Sequence, residues 1–338
     1  MEVIPFLIPL LLTFAALPQG ELRIYAIDVE GGKASLYISP LGETMLIDAG
    51  YAGHNGRDAN RIVAAMKAAH VQRIDHLVVT HYHADHVGGV AELAALVPIG
   101  TIYDHGETWD KANIKTAALV EAYDVVRRKY PHKMLKPGDR IPIKGISVDV
   151  VAGSGEVISK PMPGAGAKNP ICSSYHALEP DPGENALSLG FIIQFGNFRV
   201  ADLGDLFWNK EYLLACPINK LGSVDLYMTT HHGTKTSGHP QIVHALKPKV
   251  AIMNNGYSKG GSIAAWQTIH DSSGLQDLWQ LHFSSEGGKT HNSPEKWIAN
   301  VDEQCAGKGI TVSAKATGAF TVHNDRNGFE KTYTKSQQ

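Results

Sequence analysis

The chain is 338 residues long and 43% apolar, enough to bury a large core in one domain or two tightly joined halves. Charged residues make up 19% of it and the net charge is -2. No long run of one sign appears, so the basic stripe expected of a phosphate-backbone binder is missing and a long nucleic-acid partner is disfavoured.

From Val3 to Leu17 the sequence is almost wholly apolar, broken by Pro5 and Pro9. That is too short to span a bilayer comfortably. It fits the apolar region of an export signal, with small residues at Ala15 and Ala16 before the turn Pro18-Gln19-Gly20. Residues 1–20 are read as a signal peptide and the product as secreted or periplasmic, with no stable membrane span after processing. Glu2 and the lack of a small-x-small cleavage site depart from the pattern, and a buried N-terminal strand or helix is the alternative.

Residues 21–338 read as a single domain. Alternation predicts a strand over Leu22–Ala26, and others follow at Ser35–Ser39 and Thr44–Ile47. A helix is predicted over Asp58–Ala69, with Asp58 or Asn60 as its cap, then an apolar strand at Ile74–Val79. Helices are predicted again at Val90–Leu96 and Ala112–Tyr130, the second ended by Pro131. Later strands are expected at 146–150, 188–195, 198–203, 224–228, 250–253, 310–313 and 319–323. Two groups of strands with helices between and after them suggest an α/β (α+β) fold of two mixed sheets packed face to face, helices outside.

Between Ala152 and Asn185 runs a stretch rich in Gly, Pro and Ser, a long loop at 153–184. Such a loop serves as a lid or substrate-binding element, or is a disordered surface insertion. Cys172, Cys216 and Cys305 form no Cys-x-x-Cys pair, so they make no structural zinc site, and their pairing stays open.

The strongest chemical signal is Thr80-His81-Tyr82-His83-Ala84-Asp85-His86, where four metal-ligating side chains follow a buried strand. Imidazoles with a carboxylate and no thiolate suit a catalytic site for zinc or another borderline divalent metal. Alternation turns His81 and His83 to one side, leaving Asp85 and His86 for a second metal. Downstream, Asp205 follows Gly204 after one predicted strand, and His231-His232-Gly233 follows another. Each is weak alone; together they set ligands at the ends of strands that one fold could bring to a common edge.

These motifs resemble the successive motifs of metallo-β-lactamase-fold hydrolases. Asp28-Val29-Glu30-Gly31-Gly32, Leu46-Ile47-Asp48-Ala49-Gly50 and Asn185-Ala186-Leu187-Ser188-Leu189 are most similar to the hydrolase domain of ComEC-type competence proteins and related phosphoesterases. The resemblance runs from about residue 22 to about residue 255. It implies a four-layer αββα sandwich. His81 and His83 would bind one metal, Asp85 and His86 the other, and Asp205 would bridge them. His232 would be the last ligand, with His231 beside the substrate, although the order within this pair could be reversed. Two Zn2+ per chain are expected, with Mn2+ or Fe2+ as alternatives. Asn185 stands where many members carry a histidine, so the first site has a poorer ligand there unless His176 reaches in from the long loop. Asp48 is expected to hold the histidine motif rather than to react.

Two metals sharing a water would lower its pKa and give a bridging hydroxide, which Asp85 would orient. Asp85 and His231 are the catalytic candidates. Asn185, His105 and Asn255 are the substrate-binding candidates, with Lys259 a similar one; turn-forming roles are the alternative for His105, Asn255 and Lys259. His270, His282 and His291 have no ligand spacing and read as surface or core polar residues. The expected partner is a small ester, a phosphoester or phosphodiester favoured, with lactone or β-lactam ring opening as the alternative and a non-catalytic metal-binding module as the reading of another class.

Overall fold

The computed structural model describes residues 20–110 and 112–334. Residues 1–19, all of the segment read as an export signal except Gly20, lie outside the described residues. Among the described residues no helix is long and apolar enough to cross a membrane.

The first sheet begins with β1 (Leu22–Ala26), β2 (Ser35–Ile38), β3 (Thr44–Ile47), β4 (Ile74–Val78), β5 (Ile99–Asp104) and β6 (His132–Met134). The second contains β7 (Arg140–Ile141), β8 (Ser147–Gly153), β9 (Glu156–Val157), β10 (Gly190–Phe195), β11 (Phe198–Asp202), β12 (Leu226–Met228), β13 (Val250–Met253), β14 (Asp277–His282) and β15 (Ile298–Asn300). The chain then returns to the first sheet with β16 (Ile310–Ala314), β17 (Phe320–Asn324) and β18 (Glu330–Tyr333), and β16 pairs antiparallel with β1. Each sheet has nine strands among the described residues.

Both sheets are mixed. β3 to β6 run parallel, as do β11 to β15. Parallel strands need crossovers, and helices supply most of them: α1 (Arg57–Ala68), α2 (Ala84–Val87), α3 (Val90–Leu96) and α4 (Ile114–Arg127) on the first sheet, α5 (Trp208–Ala215), α6 (Pro240–Leu246) and α7 (Ile263–His270) on the second. Three apolar cores divide the layers. Leu22, Met45, Phe191, Phe198, Trp279 and Phe320 pack between the sheets. Ile62, Met66, Leu77 and Leu93 pack α1 and α3 onto the first sheet. Leu214, Ile242, Leu246 and Ile269 pack α5 to α7 onto the second. The order is therefore helix, sheet, sheet, helix, the four-layer αββα sandwich.

α1 begins at Arg57 after Gly56, which takes φ 71° and offers no side-chain cap. The predicted caps are corrected accordingly: Asp58 lies inside the first turn, where its Oδ2 accepts the Tyr51 amide at 2.8 Å. The long loop is not a free insertion. A Cys172–Cys216 disulfide with Cα atoms 5.8 Å apart fastens it beside α5, Tyr175 stacks on Tyr212 with ring centroids 4.1 Å apart, and Cys305 is a free thiol.

Candidate metal centre

All the sequence-predicted metal ligands leave the C-terminal ends of strands or the turns just after them, the edge where open α/β sheets concentrate ligand sites. β4 delivers His81, His83, Asp85 and His86; β11 delivers Asp205; β12 delivers His231 and His232. The backbone bends sharply to do so. Gly204 takes φ +58°, and a Cβ there would meet the Leu189 carbonyl at 2.9 Å. His231 and His232 both sit in the left-handed region, at φ 52° and 56°. Two successive non-glycine residues held there carry a cost of order 1–3 kcal/mol each, the kind of strain that persists at functional sites.

The hydrogen-bond network decides which ring nitrogens face the centre. Asp48, itself at φ 62°, accepts the Thr80 amide on Oδ1 and the Thr80 hydroxyl on Oδ2, both at 2.7 Å. Its Oδ2 also accepts His86 Nδ1–H at 2.7 Å. Because the Thr80 hydroxyl is spent on Asp48, its oxygen takes His81 Nδ1–H at 3.1 Å. His232 Nδ1 lies 3.0 Å from Asn254 Nδ2 and 3.3 Å from the Asn254 carbonyl, a donor and an acceptor together, so Asn254 holds the ring in place from behind. Ser237 Oγ donates to the Leu206 carbonyl at 2.7 Å and so accepts His231 Nδ1–H at 3.1 Å. His81, His86 and His231 thus spend their Nδ1 protons outward and turn Nε2 lone pairs inward, and His232 presents Nε2 to the same centre.

Those Nε2 atoms converge. His86 Nε2 lies 3.2 Å from His232 Nε2 and 3.1 Å from Asp205 Oδ2. His232 Nε2 lies 3.1 Å from Asp85 Oδ2 and 3.2 Å from Asp205 Oδ2. One donor atom from each of Asp85, His86, Asp205 and His232 falls within 4.8 Å of every other, and all four residues are buried. On the neighbouring side, His81 Nε2 lies 3.0 Å from His83 Nδ1 and 3.9 Å from Asp205 Oδ2. Asp205 Oδ2 is the atom that approaches both sides. His231 Nε2 stands farther back, 3.6 Å from Asp205 Oδ2.

Without a cation such crowding is unfavourable, because facing lone pairs repel and buried acceptors go unpaired. Asp205 Oδ1 and Asn185 Oδ1 are both buried without a hydrogen-bond partner. Charge in the cluster shows the same need. Burial lowers the His86 pKa, yet Asp205, Asp85 and Asp48 raise it well above the ordinary value, so a proton stands in for positive charge there. Burial and the His86 charge hold His81 well below its ordinary value, and burial takes His231 down to about 4. Imidazoles, carboxylates and one amide oxygen fit divalent transition metals.

Asn185 sits in a single turn, Glu184–Leu187, which is tied to the histidine motif. Tyr82 N donates to Glu184 Oε2 at 2.9 Å, Leu189 N to the Thr80 carbonyl at 3.0 Å, and Asp205 N to Ser188 Oγ at 3.2 Å. Glu184 is fully buried. Burial raises its pKa, but the His105 hydrogen bond and charge outweigh that and keep it low. His105 is buried with Nε2 3.1 Å from Glu184 Oε2, so it braces the Asn185 turn. Asn255 is fully buried. Its Nδ2 donates to the Gly256 and His282 carbonyls at 2.9 and 2.8 Å, leaving that group engaged with backbone. His176 is exposed and lies beside His239, whose pKa burial and the His176 charge lower to about 4; it does not reach in as a ligand.

Lys259 and Tyr51 meet at the lip of the site. Lys259 Nζ contacts Asp85 Oδ2 and donates to Tyr51 Oη at 3.0 Å. A second group of donors, Asp28, Glu30, His282 and Cys305, is already closed by Arg61, whose guanidinium lies 2.9 Å from Asp28 and 3.0 Å from Glu30. His282 is fully buried against Asp28 at 2.7 Å, while His270 and His291 pack on Trp266.

Residues 28–150 match the sequence profile of the metallo-beta-lactamase superfamily. The match covers β2 to β6 of the first sheet, the histidine motif included, and makes that segment similar to the metallo-β-lactamase superfamily. No curated protein matches the chain. Among solved structures, the metallo-beta-lactamase fold protein YhfI from Bacillus subtilis is 11% identical, with 77% of this chain and 96% of that one covered and a TM-score of 0.46. A putative metal-dependent hydrolase from Parabacteroides distasonis is 17% identical, covering 78% and 94%, with a TM-score of 0.43. A diphosphatase of the PhnP family is 15% identical, covering 77% and 94%, with a TM-score of 0.42. In metallo-β-lactamase terms, the profile ends at Val150 in β8, so Asp205, His231 and His232 lie beyond it and rest on their own geometry.

Proposed function

We propose that this metallo-β-lactamase-fold chain is an exported hydrolase that cleaves an ester bond, a phosphoester or phosphodiester, with two divalent metals, Zn2+ first. The observation that carries this is the convergence of the Nε2 atoms of His81, His86 and His232 with the carboxylates of Asp85 and Asp205. Metal held there supplies an activated water and a Lewis acid for the oxygen under attack. Asp85, His86, Asp205 and His232 would hold one ion; His81, His83, Asp205 and the Asn185 amide oxygen would hold the other less tightly.

The remaining residues place and exclude. Asp85 presents Oδ2 between the His86 and His232 rings and can orient a water there. His231 keeps its proton at Nδ1 on Ser237 and offers Nε2 as an acceptor, neutral at ordinary pH. Burial of Thr80, His81, His86 and Asp205 keeps the electrostatics strong. The phosphoester preference is supported by the resemblance of the Asp28, Asp48 and Asn185 segments to the ComEC-type branch. Export is supported by the apolar leader in the sequence and the Cys172–Cys216 disulfide.

Turnover of a phosphodiester and of a lactone chromogenic substrate by zinc-loaded wild type and Asp85→Ala tests this reading. Phosphodiester cleavage lost in the variant supports it. Lactone cleavage alone replaces it with ring opening, and no turnover of either by fully loaded protein points to a non-catalytic module.

A further inference from the structure

Lys259 is delivered to the centre by a turn locked onto the His232 segment. Gly256 N donates to the Lys259 carbonyl at 2.8 Å, Gly261 N to the His232 carbonyl at 2.9 Å, and Ser262 N to the Gly233 carbonyl at 2.8 Å. Gly260, at φ +72°, packs so closely that a Cβ would meet the His232 carbonyl at 2.2 Å. The lysine therefore starts from a fixed point, and its ammonium lies against Asp85 Oδ2 while donating to Tyr51 Oη at 3.0 Å. The side chain is 37% exposed, so solvent reaches it.

Asp85 Oδ2 is the oxygen that also lies 3.1 Å from His232 Nε2 and 3.3 Å from His86 Nε2. It is the donor a metal would claim. A cation bound there takes the carboxylate charge away from Lys259, which keeps Tyr51 and is left with N–H groups to spare beside the reaction centre. An ammonium so placed finds its next partner in an anionic oxygen. We propose that Lys259, steadied by Tyr51, binds a non-reacting anionic oxygen of the substrate's phosphoryl group and selects anionic over neutral esters. This rests on the phosphoester reading above.

Inorganic phosphate is the probe, titrated calorimetrically into full-length, zinc-loaded wild type, Lys259→Gln and Lys259→Arg, with metal content measured on the same samples. Lys259→Gln should bind phosphate about tenfold more weakly, a loss of about 1.4 kcal/mol, at unchanged metal content, and Lys259→Arg should restore much of the affinity. Equal affinity in Lys259→Gln overturns the inference. So does metal lost from that variant in step with phosphate, which would make the lysine a support of the metal site. Wild type that cleaves phosphodiester while Lys259→Gln binds phosphate normally sinks this inference alone; wild type that opens a lactone and neither binds phosphate nor cleaves a diester sinks the phosphoester reading with it.

Discussion

At the scale of single residues, the site depends on side chains that never touch a metal. Asp48 fixes the Nδ1 proton of His86 and, through Thr80, that of His81. Asp48→Asn should therefore weaken metal binding by about 10- to 100-fold, read by competition with a chromophoric chelator; unchanged affinity would contradict the tautomer argument. If Asn185, whose buried Oδ1 has no partner, completes the His81 and His83 side as proposed, Asn185→His should raise the occupancy of that side in metal analysis at limiting zinc. Lys33 and Asp202 form a fully buried ion pair between the sheets, with Tyr37 donating to Asp202 at 3.1 Å. Lys33→Met alone should destabilise by about 3–5 kcal/mol in denaturant titration, and the Lys33→Met/Asp202→Leu pair should recover most of that. The histidine cluster was legible in the sequence because its ligands are adjacent. Glu184 and the Lys33–Asp202 pair were not: Glu184 follows two other acids, Glu179 and Asp181, in a Gly- and Pro-rich stretch and carries no motif of its own, and the pair is 169 residues apart.

At the scale of elements, the strand ends carry the ligands and the segments behind them hold their shape. Beneath the His231–His232 turn, Glu211 is fully buried and accepts the amides of Gly238 and His239 at 3.0 and 3.2 Å. Burial raises its pKa to about 7 from an ordinary 4.5. The neutral acid is favoured in the folded state, so the stability this group contributes is full below pH 4.5 and is lost as pH rises through about 7, on the order of 3 kcal/mol in all. Glu211→Gln should flatten that decline in unfolding measured across the same range; an unchanged slope would remove Glu211 as its source. Most strands of the first half were readable from alternation, and β4 from its apolar run. The helices α5 to α7 have only 7 or 8 residues and, like the equally short α3, span about two turns, over which a helical period is a weak signal. β14 was hidden for another reason, since it is buried on both faces and shows no alternation.

At the scale of the whole molecule, the sandwich serves to bring the C-terminal ends of parallel strands from two sheets to one edge. Asp48 and the histidine motif come from the first sheet, Asp205, His231 and His232 from the second, and the apolar layer between the sheets sets their separation. Neither half holds a complete set of donors. The central claim is that this shared edge binds metal, and the measurement that tests it most directly is elemental analysis of metal per chain on freshly purified wild type and Asp205→Asn. The account predicts at least one divalent transition metal per wild-type chain, rising towards two when zinc is supplied, and a marked loss in a folded Asp205→Asn. Wild type that takes up less than one metal even with excess zinc, or that holds its metal equally well without the Asp205 carboxylate, would contradict it.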